Sequence, residues 1–188
     1  MCCKKKIFRK FVQDKLRLIK HNAMTFPDTY KFNSVDVAKY IAGKANEKNI
    51  SLNITKIQKL LYVVYGIYLR VYEERLTDEH PQAWPYGPVF PTTRNQLVKT
   101  CLQNLKISDV TENLQNDVRL NKTINFTLDH FGVFNAGQLT EWSHRDGSPW
   151  YYTTKGVGFK WGNEIPDELI YNYFSKIITI KSNEDGNE

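Results

Sequence analysis

Glu141, His144 and Asp146 come closest in this 188-residue chain to a reactive constellation. Glu141 and His144 stand three apart, a spacing that puts two side chains on one face of a helix. Asp146 follows closely enough to orient an imidazole. Two carboxylates flanking a histidine could pass a proton as general acid and base. A histidine in a last helical turn also has a plainer use, since the helix dipole and local carboxylates stabilise its charge without chemistry. The sequence favours that plainer use. His21, His80 and His130 show no ligand spacing to one another, so no metal site is expected. There is no phosphate-binding glycine loop, GxSxG elbow, HExxH or CxxC. The expectation is therefore no catalytic residue, no cofactor and no enzyme.

The cysteines and the charge narrow the class further. Cys2 and Cys3 are neighbours and Cys101 lies in an apolar helical pattern, so no disulfide framework is expected and Cys101 reads as a small buried hydrophobe. The Cys2-Cys3 pair beside lysines also suits lipidation in a eukaryotic host. No run approaches the roughly 20 apolar residues that span a bilayer. The first residues lack the apolar stretch of a secretory signal. A cytoplasmic chain without stable membrane insertion is expected. Net charge is +6, but residues 1–20 carry eight basic residues against Asp14 alone, a net of +7. The remainder is 18 basic against 19 acidic, or −1. A neutral body behind a basic arm lacks the footprint of a dedicated nucleic-acid binder.

These residues need a frame to hold them. Residues 5–20 read as an amphipathic helix, with Ile7, Phe8, Phe11, Val12, Leu16, Leu18 and Ile19 on one half of the wheel. The plainest use is docking on the body with the basic face in solvent, and binding a partner or lying on a membrane surface would look the same in sequence. His21 to Phe32 reads as a connector. Asn33 or Ser34 caps a helix to about Asn46, and Asn53 or Thr55 caps the next, where Thr55 and Gln58 could form a capping box. From Ile57 to Tyr72 that helix is apolar on nearly all sides and must run through the centre of the domain. Gly66 within it costs roughly 1 kcal/mol of helix propensity, which predicts close approach of a neighbour.

Thr92 or Thr93 can cap a further helix to about Leu105. Residues 106–125 read as a surface hairpin or mobile loop. Helices are expected near Ile124–Phe131, from Asn135 to about His144, and from Pro166, with a compact turn over Arg145–Pro149. The last residues, 183–188, read as a polar disordered tail.

The segment Gln82-Ala-Trp-Pro-Tyr-Gly-Pro-Val-Phe-Pro91 is too rigid for a linker and too apolar for an ordinary loop. Its prolines fix φ, remove donors and push their predecessors towards extended conformations. It is built to hold Trp84, Tyr86 and Phe90 in place, either for the core or for a partner. Trp142, Trp150 and Trp161 pose the same choice, since aromatic clusters on rigid loops also form binding hot spots.

Four stretches carry a resemblance to the Panacea domain family, which includes SocA-like antitoxins and many phage-associated proteins. They are Val37-Ala-Lys-Tyr-Ile41, Ile57-Gln-Lys-Leu-Leu-Tyr62, Ala83–Pro91, and Asn135-Ala-Gly-Gln-Leu-Thr-Glu-Trp-Ser-His-Arg-Asp-Gly-Ser-Pro-Trp150. Ile165–Phe174 also fits. The resemblance runs from about Val35 to Ile178. Trp142 replaces a common leucine, and Asn53 and Asn135 stand where threonine or serine is usual.

The resemblance implies a mainly α, compact single-domain bundle around a buried central helix, with at most a short β-hairpin. The domain is placed at 34–180, between an N-terminal helix and connector (1–33) and a tail (181–188). The resemblance also implies an antitoxin that neutralises a cognate protein toxin by direct binding. An adaptor delivering a bound protein to a AAA+ protease, and a phage-encoded regulatory protein, are the alternatives. Gln58, Trp84, Tyr86, Gly87, Pro88, Glu141, His144, Gly147, Ser148, Pro149 and Trp150 are the signature and candidate partner-binding residues. Phe8, Phe11, Val12 and Ile19 are the candidate specificity face, and lie outside the resemblance.

Overall fold

The computed structural model describes residue 26 and residues 29–178. The expected helix at 5–20, with Phe8, Phe11, Val12 and Ile19, and the tail at 183–188 lie outside the described residues. Helices dominate, with two small two-stranded sheets beside them. In chain order the elements are β1 (Tyr30–Phe32), α1 (Ser34–Glu47), α2 (Ile54–Tyr72), β2 (Arg75–Thr77), β3 (Gln82–Trp84) and β4 (Gly87–Val89). They continue with α3 (Pro91–Leu97), two 3-10 turns at Leu102–Asn104 and Ile107–Asp109, α4 (Glu112–Gln115) and α5 (Val118–Phe131). Three helices complete the domain: α6 (Ala136–His144), α7 (Pro149–Lys155) and α8 (Asp167–Ile177).

The helix α2 is the axis. Every residue from Lys56 to Leu69 is buried, and α1, α5, α6 and α8 pack around it together with β2 and β4. Its apolar girth forces this arrangement, because a helix without a polar face finds no stable position at a surface. Gly66 performs as its position predicts. A Cβ there would stand 2.1 Å from the Phe174 ring, so the glycine is the notch that admits α8. Asn53 caps α2 by accepting the Lys56 amide, so Thr55 and Gln58 form no capping box and Gln58 is free for another use. Asn33 caps α1, and Asn135 with Gln138 makes a full capping box on α6.

Several elements differ from the sequence reading. The connector contains β1, which pairs in parallel with β2 (Tyr30 with Arg75, Phe32 with Thr77), a pairing that no local pattern announces. Neither Thr92 nor Thr93 caps α3 with its side chain. The Glu79 carboxylate does so from the loop between β2 and β3, accepting the Thr92 amide at 2.5 Å and the Thr93 amide at 3.1 Å, with the Ser34 hydroxyl also donating to it. Its neighbour Asp78 accepts the Ser34 amide at the start of α1, so one short loop holds two helix N-termini. The helix α3 stops at Leu97 rather than running to Leu105, which leaves Cys101 exposed and not buried. Residues 106–125 are neither hairpin nor mobile loop. They form a 3-10 turn, α4 and the first two turns of α5, whose amide at Leu120 is capped by Asp117. Leu114 and Leu120 bury this stretch against the core.

Candidate functional site

The hairpin β3–β4 carries the Pro/aromatic segment. Its strands pair antiparallel (Gln82 with Val89, Trp84 with Gly87), leaving Pro85 and Tyr86 as the turn. Gly87 closes that turn at φ +98°, and a Cβ on it would meet Ser143 Oγ at 2.7 Å and Lys59 Cε at 2.8 Å. Both the backbone angle and the space therefore demand glycine.

Two consecutive residues of α2 pin the hairpin from beneath. Gln58 Oε1 accepts the Phe90 amide at 2.7 Å, and Lys59 Nζ donates to the Pro88 carbonyl at 2.8 Å. Both side chains are buried, Lys59 to 1% exposure, and no ion pair reaches Lys59 among the described residues. Burial drives the Lys59 ammonium down to about 7 from its ordinary 10.5.

From the other side, α6, α7 and the turn between them close the corner. Gly147 takes φ +85°, and Ser148 caps α7 by accepting the Tyr151 amide while its hydroxyl donates to the Ser143 carbonyl. Pro149 occupies the first helical position, where its missing N–H costs nothing. Trp150 then reaches across, its Nε1–H donating to the Trp84 carbonyl at 2.9 Å. His144 lies flat on the Trp150 indole, with ring centroids 3.7 Å apart and planes 7° apart.

The residues predicted as a signature thus converge, with Glu141 as the exception. It faces solvent and lines a cleft formed with Phe131, Phe134, Arg145 and Ile177. The proton-passing arrangement is not assembled: no hydrogen bond or ion pair joins His144 to Glu141 or Asp146 among the described residues. His144 is also not a charged helix-end histidine. Burial, and then the Lys59 charge, lower its pKa below the ordinary value, and its Nε2 is buried without a partner among the described residues. No cluster of three or more histidine, cysteine or acidic side chains able to hold a metal occurs among the described residues. No helix among them is long and apolar enough to cross a membrane.

The outer surface of this corner is aromatic. Tyr86 is 76% exposed at the turn and Trp161 is 57% exposed beside it, where Gly162 and Asn163 hydrogen-bond to Ala83. Trp161 packs on Phe159 (5.0 Å) and near Trp150 (6.4 Å), and the Arg94 guanidinium lies 5.8 Å from the Trp84 ring. Lys59, Ser143 and Arg94 are absent from the predicted signature. A lysine set in an otherwise apolar helical run was the available signal for Lys59. Ser143 lies within the quoted Asn135–Trp150 stretch without being singled out there, and nothing in the sequence pointed to Arg94.

Comparison with known proteins follows the same residues. The family described as Antitoxin SocA-like, Panacea domain matches residues 57–151, which is 95 of 188 residues. The chain is 28% identical over 163 residues to Antitoxin SocA of Caulobacter vibrioides (strain NA1000 / CB15N), covering 79% of this chain and 87% of that protein. No solved structure matches the chain.

Proposed function

The chain belongs to the Antitoxin SocA-like, Panacea domain family, and from that premise we propose that it neutralises a cognate protein toxin by direct, non-catalytic binding at the aromatic face around Tyr86 and Trp161. One observation carries the choice of surface. Two large aromatic side chains stand in solvent: Tyr86 on the turn of a hairpin fixed from behind by Gln58, Lys59 and Trp150, and Trp161 next to Gly162 and Asn163, whose backbone hydrogen-bonds to Ala83 of that hairpin. A pre-ordered aromatic anchor loses little conformational freedom on binding, which is why such residues dominate interface energetics. The corner behind it supplies rigidity and the tip supplies contact. A family resemblance does not transfer partner identity, so the product of the neighbouring gene is the toxin to test.

The experiment is co-expression with that product, followed by co-purification and a neutralisation assay. Tyr86→Ala and Trp161→Ala should each weaken binding by about tenfold or more while leaving the melting temperature nearly unchanged. Neutralisation should titrate stoichiometrically with toxin. Full neutralisation by the double variant would remove the aromatic face from the interface. Neutralisation of excess toxin by a small fraction of this protein would instead show turnover and refute the non-catalytic reading.

A further inference from the structure

A second apolar feature lies along α6. The carboxyl ends of α5 and α8, together with α6, enclose an open cleft of about 520 Å³. Phe126, Phe134 and Ile177 line it and are each about 40% exposed, while Trp142 forms its floor against Phe131 and Phe174. Glu141, Arg145 and His130 sit around it, so its side chains bring little net charge. The carboxyl end of α8 brings partial negative charge, which favours a basic occupant, while that of α5 already receives the Lys56 ammonium at the Gly132 carbonyl.

This chain contains such an occupant. Residues 5–20 have seven large apolar residues on one half of a helical wheel, and residues 1–20 carry a net charge of +7. The place where the described chain begins brings that segment near. Phe26 packs on Tyr171 of α8 with ring centroids 5.6 Å apart. Ile178 follows the last residue of α8 and lines the cleft, and Tyr171 lies within that helix, seven residues or about 10 Å earlier. Residues 21–25 can span roughly 16 Å when extended, enough to bridge that distance.

We propose that residues 5–20 dock as a helix in this cleft of the same chain, placing the Phe8, Phe11, Val12 and Ile19 face against Phe126, Phe134, Trp142 and Ile177. One contact would cover two apolar surfaces and set basic residues near the carboxyl end of α8. The proposal is independent of toxin binding at Tyr86 and Trp161.

Disulfide trapping in the full-length chain tests it, with Cys2, Cys3 and Cys101 replaced by serine. Ile177→Cys is combined in turn with Phe8→Cys, Phe11→Cys, Ile19→Cys, or Arg17→Cys from the opposite, polar face. Under mild oxidation, one or more apolar-face pairs should form an intrachain disulfide roughly tenfold faster than the Arg17 pair, because docking raises the local concentration selectively. Peptide mapping and non-reducing electrophoresis read the result. Equal rates for all pairs would overturn the docking. Cross-links confined to dimers would also overturn it, by making a second copy the occupant. A variant that fails to fold is recognised by circular dichroism, and Phe134→Cys then replaces Ile177→Cys as the cleft probe.

Discussion

Lys59→Met should change how stability depends on pH, in a window set by the lysine itself. In the fold the Lys59 ammonium titrates near 7, against its ordinary 10.5, because burial disfavours the charge. Between those values the unfolded chain binds one more proton than the folded chain, so stability rises with pH by roughly 1.4 kcal/mol per unit. Below pH 7 the fold bears the whole penalty, at most about 5 kcal/mol for that displacement. Methionine has a similar stem and no charge, so its variant lacks this dependence. It also leaves the Pro88 carbonyl without its donor, at a cost of about 1–3 kcal/mol that does not vary with pH.

The variant should therefore be the more stable protein at pH 6, with its advantage shrinking by about 2 kcal/mol between pH 7 and pH 9. Urea unfolding of both proteins at half-unit steps measures the difference. The window stops at pH 9 because Tyr62, Tyr65 and Tyr68, all raised above 10.0 by burial, begin to matter beyond it. A stability difference that stays flat from pH 6 to pH 9 would refute the buried, unpaired lysine.

Gly66→Ala gains about 1 kcal/mol of helix propensity but drives a methyl group into the Phe174 ring. A net loss of about 2 kcal/mol is expected by thermal unfolding, and Phe174→Leu should relieve part of it in a double-mutant cycle. Asp167→Asn removes the charge that pairs with Arg75 at 2.7 Å and accepts from Tyr65 at 2.6 Å, and should cost about 3 kcal/mol in chemical denaturation. Glu79→Gln should cost about 1–2 kcal/mol and increase amide exchange at the first turn of α3, since a neutral amide caps two backbone donors less well than a carboxylate. Unchanged exchange at Thr92 and Thr93 would show that the cap is dispensable.

What could be read from the sequence was what neighbours in the chain decide. Asn33, Asn53 and Asn135 cap the helices that follow them, and the girth of α2 forced it to the centre. What escaped depends on residues far apart in the chain. The β1–β2 pair joins Tyr30 to Arg75, and the cap of α3 comes from Glu79 rather than from either adjacent threonine. Cys101 lies in an apolar pattern, but α3 ends before reaching it. The candidate site divides along the same line. Its prolines and glycines announced a rigid corner. The roles of Gln58 and Lys59 appear only once β4 lies across α2. Glu141 and His144, three apart on one short helix, have different surroundings: Glu141 lines the cleft, whereas His144 stacks on Trp150.

The notch at Gly66 also bears on synthesis. Phe174, which fills it, is 108 positions later in the chain (174 − 66), so the middle of α2 is made long before its cover. At roughly 5–20 residues per second, the ribosome needs about 5 to 20 s to deliver that ring. Throughout that interval the nascent domain shows an apolar groove along its own axis. A chain cut short before α8 would keep the groove permanently, and would offer chaperones and proteases a mark that the finished protein has lost.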